Sequence, residues 1–204
     1  MKQDLVAKRR SEILEASIDV FAEKGYHAAK ISDIAEKLEI GHGTFYRYFK
    51  NKLDIFTAIA DSIIEKVAKM VATEAPGESN SVEEYRAQLF RIGKSLFSIF
   101  TDDVRMFKIA YYELLGVDPH LNERLENAMK IFNQYTEAYL INGVVKGFLK
   151  PEIDTQVISR AVNGMIFTGC KSVIEAEDSQ LEYERWMNSI SLLMLDGMSK
   201  RIEG

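Results

Sequence analysis

The chain has 204 residues, 47% of them hydrophobic and 28% charged, with a formal net charge of −5, which describes a soluble globular protein of one domain, or a small domain joined to a larger one. No apolar run approaches the roughly 20 residues of a membrane span, MKQDLVAKRRSEIL lacks a signal core, and Cys170 is the single cysteine, so membrane partners, an internal disulfide and a cysteine metal cluster are excluded and a cytoplasmic location is expected. Residues 1–52 hold ten Lys/Arg against eight Asp/Glu, and residues 53–204 hold sixteen against twenty-three, so the N-terminal quarter suits a polyanion better than the remainder.

Helical periodicity runs through the chain and no segment alternates like a strand. Ile13, Leu14, Ile18, Phe21 and Ala22 stripe a first helix over about 5–24. Gly25 ends it, because glycine takes the left-handed conformation at little cost. A short helix follows at about 31–38, with Ile31, Ile34, Ala35 and Leu38 on one face; EIG (39–41) breaks it, and the pattern resumes at 42–49. Asn51 caps a long helix to about Thr73, and APGESNS (75–81) reads as a loop. Ser81 and Glu84 form a capping-box pattern for a helix to about Phe100, apolar on most faces and therefore buried. Asp102-Asp103 starts another helix. Asp118-Pro119, an acid cap followed by proline in the first turn, starts one that runs to about 142–143. Asp154 caps a helix to about Ala176, and a last helix spans about 180–201, carrying Trp186, Ile190, Leu193, Met194 and Met198. The reading is an all-α chain of about nine helices: a three-helix head over 1–52 and a larger helical body over 53–204.

The stretch GHGTFYRYFKNK (41–52) is basic and aromatic, with no acid in an acidic protein. Residues 31–38 and 42–49, separated by a short break, make a helix-turn-helix with the first helix packed across both. Phe45 and Phe49 are four residues apart and so share one face, which anchors the second helix to Ile34, Leu38 and Phe21. His42, Gly43, Thr44, Tyr46, Arg47 and Tyr48 are left for a major groove about 12 Å wide. Gly41 and Gly43 allow close approach at the helix start. Arg47 suits the acceptors of guanine, and Thr44 a thymine methyl or a phosphate. Tyr46 and Lys52 suit flanking phosphates. Lys8, Arg9 and Arg10 read as a solvated helix start.

Residues 21–52, FAEKGYHAAKISDIAEKLEIGHGTFYRYFKNK, resemble the TetR-type transcriptional regulators. The resemblance is carried by Phe21, Gly25-Tyr26, Ile34-Ala35, the run Gly43-Thr44-Phe45-Tyr46-Arg47-Tyr48-Phe49, and Asn51-Lys52. Four positions depart from the family pattern. Ala29-Lys30 replace a Thr-Thr pair, so Lys30 offers charge to a phosphate where a hydroxyl is usual. Glu39 stands where glycine is common in the turn, at a cost in strain if φ is positive there. Gly41 replaces a serine cap, and Leu53 a frequent acid.

The resemblance implies a dimer whose last two helices, including Val162, Ile166, Gly169, Trp186, Ile190 and Leu193, form a four-helix interface. It also implies a small-molecule effector bound inside the body that shifts the heads apart. Phe97, Phe100, Phe107, Tyr111, Met129, Phe132, Tyr139 and Phe167 are the candidate lining, and their apolar character suits a lipophilic effector. No HExxH, phosphate loop or GxSxG occurs, and the three histidines (His27, His42, His120) have no metal spacing. The expectation is a ligand-responsive regulator, a repressor on a palindromic double-stranded operator, and not an enzyme; no cofactor or metal is expected. The alternative is an all-helical small-molecule carrier or enzyme whose basic head only packs. A groove binder loses affinity steeply with salt and a carrier does not.

Overall fold

The computed structural model describes residues 2–197, with side chains from Leu5 onward. The described residues form nine α-helices and no strand: α1 (Lys2–Ala28), α2 (Ile31–Lys37), α3 (His42–Tyr46), α4 (Lys52–Val71), α5 (Val82–Thr101), α6 (Val104–Lys108), α7 (Pro119–Val145), α8 (Thr155–Glu175) and α9 (Ser179–Ser191). Two of them continue into a π-helical turn, α6 through Ile109–Glu113 and α9 through Leu192–Asp196. The expected end of the last helix near 201, with Met198, lies outside the described residues.

The helix starts follow their caps. The Asn51 side chain accepts from the Asp54 amide at 2.8 Å, and Asp118 from the amides of His120 and Leu121. Asp154 accepts from Val157 at 3.0 Å. Ser81 accepts from Glu84 at 3.1 Å, while the Glu84 carboxylate reaches back to Asn80. Each satisfies an amide that the first turn leaves without a helical partner. Gly25 interrupts α1 with φ 74° and ψ 162°, so the first helix breaks where the sequence indicates and one further turn follows. The recognition segment departs from expectation. Its α-helix ends at Tyr46 rather than 49, because the Arg47 and Tyr48 amides bond three residues back, to Thr44 and Phe45, and tighten the turn.

The described residues fall into two compact units. The first, up to Glu65 together with Asp103–Leu125, contains the helix-turn-helix. Its core joins Phe21, Phe45, Phe49 and Phe56, all at most 2% exposed. Phe21 and Phe56 meet edge-to-face with centroids 5.1 Å apart, and Tyr26 lies 4.6 Å from Phe56. The segment 103–125 is tied to α1 by polar contacts. Arg105 bonds Asp19, Glu15 and Asp103, and the Glu113 carboxylate accepts from the Tyr26 amide at 2.8 Å. The Asp19 carboxyl is held below the usual range, chiefly by its hydrogen bond from Arg105. A carboxyl depressed in the fold stabilises it above the ordinary carboxyl range and loses that contribution as pH falls through the lowered value.

The second unit, Lys66–Asp102 with the residues from Glu126 on, is built from α5, α7, α8 and α9. Tyr85 is fully buried and donates to the Tyr139 carbonyl at 3.0 Å. It packs so closely on α7 that a Cβ at Gly143 would stand 2.7 Å from its hydroxyl. Cys170 is buried, and burial pushes its thiol up to about 12, so it remains protonated. Lys146 donates to the carbonyls of Gly77 and Ser79, which ties down the loop before α5.

Gly25→Ala should destabilise the first unit by about 1–3 kcal/mol, because φ 74° excludes a side chain and its Cβ would meet the Glu113 carboxylate at 3.1 Å. Urea unfolding followed by circular dichroism checks this; an unchanged midpoint would contradict it.

Candidate nucleic-acid interface and internal cavity

α2 and α3 are held by what they bury. Ile34, Ala35, Phe45 and Phe49 are at most 2% exposed, and the Phe45 and Phe49 rings lie 5.9 Å apart. The Arg10 guanidinium sits 4.7 Å from the Phe49 centroid, so one of the leading basic residues covers the anchor ring. Glu39 in the intervening turn has φ 53°, the left-handed conformation that glycine would take without strain. Lys30 precedes α2 with its side chain exposed, and its amide donates to Asp33 at 2.8 Å. This is one half of a capping box in a segment without a threonine cap. The Lys30 amide and the Lys24 ammonium hold the Asp33 carboxyl below its ordinary range.

His42, Gly43, Tyr46 and Arg47 are exposed, and Thr44 and Tyr48 are half-buried. An added Cβ at Gly41 or Gly43 would meet nothing within 4 Å among the described residues, so no neighbour there requires either glycine. Lys52 corrects an expectation. Its ammonium donates to the carbonyls of Tyr26 (2.6 Å), Ala29 (2.9 Å) and His27 (3.2 Å), and lies 4.4 Å from the Tyr26 ring centroid. An ammonium has three donors, and here all three are spent on closing the loop between α1 and α2. None is left for a phosphate in this arrangement. Lys50 is exposed beside it.

The second unit encloses a cavity of about 60 Å³ between α5, α7, α8 and α9. Of the residues expected to line an effector site, Phe132 and Tyr139 do so. Phe97 instead packs edge-to-face on Tyr183, and Phe100 packs on Phe167 at 5.5 Å. Phe107 and Tyr111 stack on each other within the first unit, and Met129 is 40% exposed. The lining that the sequence reading missed includes Leu89, Phe90, Asn163, Met187 and Met194. The available signal was α5, apolar on most faces and so able to serve core and cavity at once.

The residues expected at a subunit interface also divide. Val162, Ile166 and Ile190 turn into the cavity wall. Gly169 is buried, and a Cβ there would meet Phe97 at 2.7 Å and Trp186 at 3.1 Å, so its close approach is internal. Leu193 is 56% exposed. Val157, Leu181 and Leu192 are exposed as well, and Gly164 has open space in front of it.

Residues 13–59 match the family described as bacterial regulatory proteins, tetR family. The chain is 22% identical to the fatty acid metabolism regulator protein of Bacillus subtilis over 190 residues, covering 93% of this chain and 95% of that protein. Its fold is similar to that of the fatty acid degradation regulator FadR from Bacillus halodurans, with a TM-score of 0.75 at 23% identity over 94% of this chain and 97% of the other. It is also similar to that of FadR from Bacillus subtilis in complex with stearoyl-CoA, with a TM-score of 0.72 at 23% identity, covering 92% and 98%. No described helix is long and apolar enough to cross a membrane.

Lys52→Met should lower the thermal midpoint by several degrees, since about 1–2 kcal/mol follows from taking the ammonium away from three carbonyls, two of them part-buried. The salt dependence of DNA binding should keep its slope. A slope smaller by about one would instead make Lys52 a phosphate ligand.

Proposed function

We propose that this chain, which belongs to the tetR family of bacterial regulatory proteins and is thereby a DNA-binding transcriptional regulator, is a homodimeric repressor released from a palindromic operator by a lipophilic acyl effector. The observation that carries the DNA-binding half is the exposed set His42, Gly43, Tyr46 and Arg47, mounted opposite the buried anchors Phe45 and Phe49. Arg47 reads a guanine bidentately; Thr44 and Tyr48, at the edge of the same face, touch backbone or methyl groups. Lys30 and Lys50 take flanking phosphates in the role that Lys52 cannot fill. Residues 1–52 act as the DNA-binding domain, and residues 53–204 serve effector binding and dimerisation. The protein acts as a regulator and not as an enzyme, in the cytoplasm, where its operator is.

One short recognition segment covers only a half-site, so two copies must be joined. The face we assign to that contact is the exposed stripe of α8 and α9. On α8 it runs Val157, Ala161, Gly164 and Thr168, all exposed and mostly small, at the spacing of one helical face. Among the described residues Gly164 serves no close approach, which suits a partner helix lying against it. Leu181 on α9, and Leu192 and Leu193 on the π-helical turn that follows it, are exposed apolar residues assigned to the same contact.

Cavity size supports a coupled effector. Ligand sites commonly measure about 300–1,000 Å³, whereas this one holds about 60 Å³. An acyl chain therefore binds only if the helices around it part. That requirement gives the ligand different affinities for two forms of the protein, as a population shift demands. The similar fold solved with stearoyl-CoA supports an acyl thioester as the first effector to try.

The experiment is selection of random duplexes on the purified protein, followed by fluorescence anisotropy of the enriched site with and without long-chain acyl-CoA. A palindrome released by the thioester is expected; no enrichment at any salt concentration would return the head to mere packing and favour a carrier. Arg47→Ala should cost about 1–3 kcal/mol at one base position of each half-site. Lys50→Ala should weaken all sites alike and reduce the salt slope by about one. Competition binding against single-substitution operators separates the two.

A further inference from the structure

The cavity wall is uncharged: none of its described residues is Asp, Glu, Lys, Arg or His. It is not wholly apolar, however. Asn163, at the centre of α8, is 2% exposed. Its side-chain amide is held on both sides by α7: the nitrogen donates to the Asn133 side-chain oxygen Oδ1 at 2.8 Å, and its own oxygen accepts from the Thr136 hydroxyl at 3.0 Å. Asn163 and Thr136 line the cavity, while Asn133 stands behind the wall. A primary amide carries two N–H donors, and among the described residues only one of Asn163's is used. Of the other hydroxyls in the wall, Tyr139 is already committed to the Glu74 carbonyl, while Tyr135 and Ser191 complete the polar lining.

We propose that Asn163 is the residue by which the cavity selects a neutral acyl carbonyl (an ester, thioester or amide) at the head of a long apolar chain. The inference rests on the reading of this cavity as the effector site. A buried amide donor costs free energy until an acceptor reaches it, and a carbonyl oxygen supplies that acceptor without bringing charge. A free carboxylate would enter a wall whose donors are this amide and neutral hydroxyls, with no cation to balance its charge. A plain hydrocarbon fills the volume but leaves the donor unpaired. The cavity thereby distinguishes an activated acyl group from the corresponding free acid, because Asn133 and Thr136 fix Asn163 in one orientation before the ligand arrives.

The test compares methyl decanoate, decanoate and undecane, each delivered from cyclodextrin, by calorimetry and by the fluorescence of Trp186, the only tryptophan. The unmodified protein should bind methyl decanoate at least about tenfold more tightly than either of the others, equivalent to about 1.4 kcal/mol. Asn163→Leu should bind undecane at least as well as the unmodified protein does, and methyl decanoate no better than undecane. Equal affinity of the unmodified protein for the ester and the hydrocarbon overturns the inference, as does an ester preference that survives in Asn163→Leu. Should that variant not fold, Thr136→Val, which frees the Asn163 carbonyl, should reduce the preference severalfold, and an intact preference overturns the inference. If all three probes bind alike, only the role of Asn163 falls. If none binds, the cavity reading falls with it.

Discussion

Everything this head can present to a duplex depends on the burial of Phe45 and Phe49. α3 is five residues long, far below the about 12–15 residues at which a helix begins to hold itself together in water. Its hydrogen bonds alone cannot keep it formed. The two rings, together with Phe21 and Phe56, fix one side of the segment in an aromatic core, and the opposite side is thereby aimed outward with few degrees of freedom. Specific base contacts need this rigidity, since a side chain that must first be ordered loses part of the energy of the contact.

The same economy explains the division of labour among the basic residues. Lys52 and Arg10 cover Tyr26 and Phe49 with their cationic heads, and Lys52 also closes the α1–α2 loop through three carbonyls. Arg105 brings three carboxylates of the first unit together. These cations hold the head rather than meeting a partner, while Lys30, Arg47 and Lys50 stay exposed. Tyr26 is the meeting point: Glu113 takes its amide, Lys52 its carbonyl, and Phe56 its ring. The kinked residue before it, Gly25, gives the chain the conformation that brings the amide to Glu113. A displacement of the π-helical turn that carries Glu113 would therefore be felt at the start of the helix-turn-helix.

Local rules were legible in the sequence and three-dimensional neighbours were not. Asn51, Ser81, Asp118 and Asp154 each cap the helix that follows them in the sequence, because a cap is settled within about four residues of chain. The strain at Glu39 was readable too, from the residue type standing where glycine is usual. The role of Lys52 was hidden: nothing in the sequence places the carbonyls of 26, 27 and 29 around a lysine some twenty-five residues later. The cavity was hidden for a related reason. Aromatic residues mark core and cavity alike, and Phe97, Phe100 and Phe167 became core by packing on one another and on Tyr183. The wall fell instead to α5 and α9 residues such as Leu89 and Met194. Val162, Ile166 and Ile190 have the spacing of an interface face, but a helix with two apolar faces does not say which of them looks inward.

The cavity's small volume and its polar spot belong to one argument. A void of about 60 Å³ costs only about 1–2 kcal/mol in an unliganded core, which a folded domain can bear with its helices close. An entering chain replaces that void with apolar contact at about 25 cal/mol per Å² of surface removed from water, but it must separate α7 from α8 to do so. Asn163 lies on one of those helices and its two partners on the other. The same hydrogen bonds that orient the amide also bridge the pair of helices that the ligand wedges apart. Chain length then contributes the work of opening, while the carbonyl decides which chains are admitted to do it. α7 is a single helix from Pro119 to Val145, with its first turns in the unit that holds the head and its later turns in the cavity wall.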